Sequence, residues 1–181
     1  MEILLNRYPI RFRINHFESL GGGGSMEVCY NLAEKSKEDL FYFLEDDYFH
    51  RQISFGSIFD AYDKKIIGTD KFAIHPTDYP DRYVHLEPSY IFLGKYNHWR
   101  SILSTTWTFI VPRKTFFEHK KLFSDFADFN KTSRGGEDKT INKIWKVFPC
   151  ISPVESLAAH LHVDTLPPLV DWEKELAQIK I

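Results

Sequence analysis

Cysteine is nearly absent from this 181-residue chain, and the shortages bound the answer before any motif does. Cys29 and Cys150 are the only two. They are too few for a disulfide framework and are not spaced for zinc or thiol chemistry. Both sit in apolar surroundings and read as small buried residues of a reducing compartment. No apolar run approaches the roughly 20 residues that cross a bilayer. The opening stretch, MEILLNRYPIRFRI, has too short an apolar core and too many early charges for a secretory signal. The expectation is a cytoplasmic protein with no membrane span. An excess of one charge is also missing: 23 Lys and Arg stand against 25 Asp and Glu, a net charge of -2. That balance offers no electrostatic case for nucleic acid as a partner. The glycine run Gly21 to Gly24 lacks both the Lys-Ser/Thr of a P-loop and the GxGxxG spacing of a dinucleotide fold.

What is present is a globular composition. Hydrophobic residues make up 43% of the chain, enough for a single domain over residues 1–181 with a real core. Aromatic residues reach 16%, and some of those rings could serve a saccharide as stacking platforms. The chain is organised around LFYFLEDDY, Leu40 to Tyr48. A short apolar and aromatic run reads as a strand buried on both faces and stops at three consecutive acids, Glu45, Asp46 and Asp47. Carboxylates on a strand tip can hold a hard divalent cation, and alternation along an extended chain would turn Glu45 and Asp47 to one side.

Around that strand the patterns predict the following elements. Ile10 to Ile14 alternates as a strand. Ser25 caps a helix over Met26 to Lys35. The glycines before it can be read as a phosphate cradle or as a flexible linker. His50 to Tyr62 is a helix or loop with Phe55, Ile58, Phe59 and Tyr62 inward, and His75 to Tyr83 is too polar and proline-rich for a core strand. Tyr83 to Glu87 and Ser89 to Leu93 read as a hairpin or bent strand pair. Ser104 to Val111 is β-rich, its hydroxyls and the Trp107 indole suiting a wall of a sugar site. One helix is expected over Arg113 to Phe129 and another over Lys139 to Phe148, with Ile141, Ile144, Trp145 and Phe148 as its stripe. Glu137 and Asp138 fall in the first turn of the latter, where the helix dipole favours ionised carboxylates that could accept a proton. A short surface helix closes the chain from Trp172 to Ile181.

FYFLEDDYFH resembles the acidic DxD signature of nucleotide-sugar-dependent glycosyltransferases with the GT-A fold, family 2-like and of bacterial or viral type. Three further stretches agree in order along the chain: HWR at His98 to Arg100 followed by STT, GGED at Gly135 to Asp138, and SLAAH ending at His160 before LPPLVDW. The resemblance implies an α/β, GT-A-like three-layer sandwich with a mixed, mostly parallel central sheet. It also implies transfer, inverting by the Glu-Asp pair, of a sugar from a nucleotide-diphosphate donor to the hydroxyl of a glycan or other acceptor, a UDP-sugar being first among the donors. It assigns the Mn2+ or Mg2+ ion to Asp47, Glu45 and His160, with His162 second to His160. Glu45 and Asp46 meet the nucleotide sugar, Asp138 is the base with Glu137 as alternate, and Asp78, Asp81, Arg82 and Trp99 lie on the acceptor side. Fewer than fifty residues precede the acids, so the nucleotide-base part is expected to be shortened. Two other readings of the same residues are a domain of this kind that binds a sugar or partner without turnover, and a metal phosphoesterase.

Overall fold

The structure, a computed structural model, describes residues 20–178; the strand expected at Ile10 to Ile14 and the last residues of the closing segment lie outside them. Helix α1 (Gly21–Lys35) leads into β1 (Leu40–Phe43) and β2 (Tyr48–His50). Then follow α2 (Ser54–Asp63), β3 (Ala73–Ile74), β4 (Ile91–Leu93), β5 (His98–Ile102) and β6 (Phe109–Pro112). Helices α3 (Arg113–Glu118), α4 (Lys120–Thr132) and α5 (Asn142–Trp145) precede β7 (Cys150–Pro153), β8 (Ala158–His160) and α6 (Trp172–Ala177).

Six strands form one sheet in the order β1-β6-β3-β7-β5-β4, and β2 pairs with β8 in a second, two-stranded sheet. Within the large sheet only β3 and β7 run parallel; every other neighbouring pair is antiparallel. This overturns the expected GT-A-like, mostly parallel sheet. The parallel sheet is what the resemblance implies, and the apolar run of β1, a strand reading as buried on both faces, does not contradict it. An antiparallel strand covered on both faces carries the same signature, and a run of side chains does not encode the direction of its neighbour.

Alternation does set the two cores. Phe41 and Phe43 of β1, with Phe109 and Val111 of β6, turn to the side carrying α1 and α4, where they meet Tyr30, Phe116, Phe123 and Phe126. Leu40, Tyr42 and Ile110 turn to the opposite side, against Ile58 and Tyr62 of α2, Ile74, Trp99 and Ile151. Ring pairs knit the first core, including Tyr30–Phe43 at 4.9 Å edge-on and Phe109–Phe123 stacked at 5.7 Å; such pairs each add about 0.5–1.5 kcal/mol beyond the area they bury.

Several local expectations change. Helix α1 starts at Gly21, and the Ser25 hydroxyl donates back to the Gly21 carbonyl at 3.0 Å instead of capping. Gly22 and Gly23 form a packing surface within the helix and not a linker. A Cβ on Gly23 would fall inside 3.0 Å of Ala127 O and Lys131 N of α4, and one on Gly22 would strike the Trp107 ring. The long helix from Arg113 breaks at His119, and Lys139 to Phe148 holds only a 3-10 turn (Glu137–Lys139) and the single turn α5. Ile141, Ile144 and Trp145 are buried as expected, but no long helix lends a dipole to Glu137 and Asp138. Phe55 and Phe59 face solvent, leaving Ile58 and Tyr62 inward. β4 forms its hairpin with β5, not with Tyr83 to Glu87. Cys150 is buried and Cys29 exposed.

Candidate functional site

The acids after β1 belong to the connection that swings the chain from the large sheet into the small one. β2 pairs with β8 in a register that sets Tyr48 opposite His160, and the Leu161 amide donates to the Asp47 carbonyl at 2.9 Å. Residues 113 positions apart are thereby fixed side by side: His160 Nε2 lies 2.8 Å from Asp47 Oδ2. On its other side the imidazole Nδ1 lies 3.2 Å from the Thr165 hydroxyl, which donates to the His162 carbonyl. The ring also stacks on Tyr48, centroids 5.3 Å apart. The imidazole is thus oriented from three directions, as a metal-ligating histidine is by its outer partners.

Glu45 is held differently. Its amide donates to the Thr108 hydroxyl at 3.2 Å, and that hydroxyl donates to Glu45 Oε2 at 3.2 Å. Burial raises its pKa first, opposed by the Thr108 bond and reinforced by the charges of Asp47 and Glu137. Behind it, the Tyr48 hydroxyl meets those of Tyr79 and, at 3.1 Å, Thr106. Burial pushes both phenols above their ordinary range, so they stay protonated.

Two cavities adjoin here, and both are lined by Glu45 and Trp107. One, about 370 Å³, runs from α1 at Gly22 and Cys29 past Glu45, Asp46 and Asp47. The other, about 470 Å³, is bounded by Tyr48, Tyr79, Asp81, Glu137 and His160. Among the described residues, neither wall includes a lysine or an arginine. Glu137 and His160 therefore share the second cavity with Glu45, although the three come from distant parts of the chain, while Asp46 and Asp47 line the first. Asp138 does not join them: it is exposed and outside the lining, and its Oδ1 accepts from Asn142 Nδ2 at 2.9 Å. His162 is exposed beside His160, its ring stacked at 6.1 Å.

The acceptor-side residues divide in the same way, with Asp81 at the cavity and three others elsewhere. Asp78 is fully buried, its carboxylate taken by Arg100, with Nε at 2.8 Å, and by the Tyr83 hydroxyl. Arg82 is folded under the same cluster and donates from Nη2 to the Ser104 carbonyl at 3.0 Å. Trp99 is 1% exposed in the second core. A polar segment before a proline reads as a surface turn, yet Phe72 to Asp78 is wholly buried, and the Asp78 carboxylate is compensated there by its ion pair with Arg100. Trp107 is the indole at the cavities. Its contact with Gly22 was not legible, since neither residue marks the other in the chain.

Among the described residues, no three His, Cys, Asp or Glu side chains converge as a ready-made cation site. Asp47 and His160 provide two donors, one carboxylate and one imidazole. That set fits a divalent ion that draws its other ligands from water and a phosphate-bearing molecule, and manganese accepts this mixture more readily than magnesium. No helix among the described residues is long and apolar enough to cross a membrane. The chain matches no family model, no curated protein and no solved structure.

Proposed function

We propose that this protein transfers a sugar from a nucleotide-diphosphate donor, a UDP-sugar first among them, to an acceptor hydroxyl in a Mn2+- or Mg2+-dependent reaction. The observation that carries the reading is the pairing of Asp47 with His160 beside two adjoining cavities, one for a donor and one for an acceptor. A diphosphate in the first cavity would meet the carboxylates of Asp46, Asp47 and Glu45, and a cation held by Asp47 and His160 would offset that repulsion. When bound, that ion would screen the diphosphate and offset charge growing on the leaving group.

The remaining work falls to the chain's own groups. Glu45, gripped by Thr108, keeps a fixed carboxylate on the boundary between the two cavities. Trp107 bounds both and offers a ring to a pyranose. Glu137, half-buried on the acceptor side, takes the acceptor hydroxyl's proton as its oxygen attacks the anomeric carbon. It displaces Asp138 from that role because Asp138 lies outside the lining and is bonded to Asn142. Two free cysteines accord with a reducing, cytoplasmic setting.

Calorimetry with UDP, with and without Mn2+, tests the reading. UDP should bind only with the ion, and Asp47→Asn should cost more than the ~10–100-fold that loss of an outer-shell partner costs. Glu137→Gln should keep UDP affinity while transfer falls by roughly 10²–10⁴-fold. UDP binding indifferent to chelator would end the proposal. A second reading, sugar binding without turnover, is favoured by the presence of only two protein donors at the cation position among the described residues. It is the correct one if saccharides bind without metal and no donor is consumed.

A further inference from the structure

β4 is an edge strand, since it ends the six-stranded sheet and pairs only with β5 among the described strands. The Ser101 amide donates to the Tyr90 carbonyl, and the Gly94 amide to the Asn97 carbonyl. In an antiparallel ladder the bonded positions alternate, so Tyr90, Phe92 and Gly94 direct their backbone groups inward to β5. The N–H and C=O groups of Ile91 and Leu93 therefore point outward along the free edge.

The side chains of those same two residues are bare. Ile91 is 57% exposed and Leu93 76%, next to Tyr90 at 79%. The patch is continuous with the loop before it: Ile91 lies opposite Arg100, and Tyr83 sits over that guanidinium at 4.5 Å. From Tyr83 the chain runs through Val84 and Leu86, 75% and fully exposed. Natural edges are guarded by lysines, prolines, bulges or a covering loop. The stretch Ser89 to Gly94 has no charge and no proline.

We propose that this face is the interface of a homodimer in which β4 pairs antiparallel with β4 of a second copy about a two-fold axis through Phe92. Ile91 then exchanges both backbone bonds with Leu93 across the axis, and Leu93 with Ile91, which continues the sheet through both copies. A second copy is the occupant that matches both features at once: an uncharged strand finds no charge complement in a charged partner, and antiparallel self-pairing sets the same apolar residues against each other. Ile91 and Leu93 alternate onto the same face of the strand, so the pairing sets the two bare side chains of one copy against those of the other. The dimer is independent of the transfer reaction proposed above.

Sedimentation velocity on the full chain over a range of concentrations tests it. The wild type should sediment as twice 21.4 kDa. Ile91→Lys with Leu93→Lys, exposed positions that leave the monomer's core intact, should weaken association by about a hundredfold, because like charges then oppose each other across the axis. Ile91→Lys with Leu93→Glu should restore it, because each introduced cation then meets an introduced anion of the other copy. Val147→Lys, an equally bare position elsewhere, should leave it unchanged. A wild type that stays monomeric, a dimer indifferent to the two lysines, or a Lys-Glu variant no better than the Lys-Lys one would overturn the interface. So would a monomer that sediments with lipid vesicles through this patch.

Discussion

Gly23→Ala is the substitution whose outcome most directly separates a packing glycine from a linker glycine. In a flexible linker or an exposed helix the change is neutral or favourable, since alanine is a better helix former by about 1 kcal/mol. Here the added Cβ falls inside 3.0 Å of Ala127 O and Lys131 N, and 2.5 Å from the Asn130 carbonyl carbon. All three are main-chain atoms of α4, which no rotamer change can move aside. Overpacking of this kind costs typically 1–3 kcal/mol, and against a rigid helix backbone the upper end applies, leaving a net loss of ~2 kcal/mol after the propensity gain. For a chain of this length that lowers Tm by roughly 4–8 °C. Gly56→Ala is the matched control: it lies within α2 with nothing inside 4 Å of the new methyl. It should stabilise by about 0.5–1 kcal/mol. The assay is urea unfolding followed by circular dichroism, with midpoints compared at constant slope. A Gly23→Ala protein as stable as the wild type, or more so, would refute the close helix crossing and return the glycine run to a linker.

Two further outcomes concern titrating groups. Glu45→Gln should raise Tm at neutral pH. Burial holds the folded pKa of Glu45 above its unfolded value, so its contribution to stability is present below the unfolded pKa and lost as pH rises through the folded one. A lower Tm in the variant by thermal shift would show that the carboxylate is stabilising. His75 behaves oppositely: complete burial, then the nearby Arg82 charge, lowers it to about 3. Its contribution is present above the unfolded value near 6.5 and drains as pH falls toward about 3, with a slope of up to ~1.4 kcal/mol per pH unit. His75→Gln should flatten the stability profile between roughly pH 6.5 and 5, where carboxylates contribute little. Parallel profiles for the two proteins would exclude that histidine as the titrating group.

Much of the core was legible in the sequence because it depends on local periodicity. The apolar run of β1 marks a strand, and the stripe at Ile141, Ile144 and Trp145 reports which side of its segment is buried. The same patterns misled at Phe55 and Phe59, which belong to the right helix on its outer side. The resemblance placed Trp99 and Asp78 on the acceptor side, but their positions are interior.

The sequence by itself determined the apolar strand that ends in acids, the absence of disulfides and of a spanning helix, and the residue types able to hold a cation. Tertiary structure decided the rest. The strand directions, the meeting of Asp47 with His160, the choice of Glu137 over Asp138 as a cavity wall and the seat of Trp107 on Gly22 follow from how β2 pairs with β8 and how α1 crosses α4. The physical reason is distance along the chain. A side chain's preference for burial acts through its immediate neighbours, whereas which two distant segments become neighbours depends on the packing of the whole, to which every residue contributes and which none specifies alone.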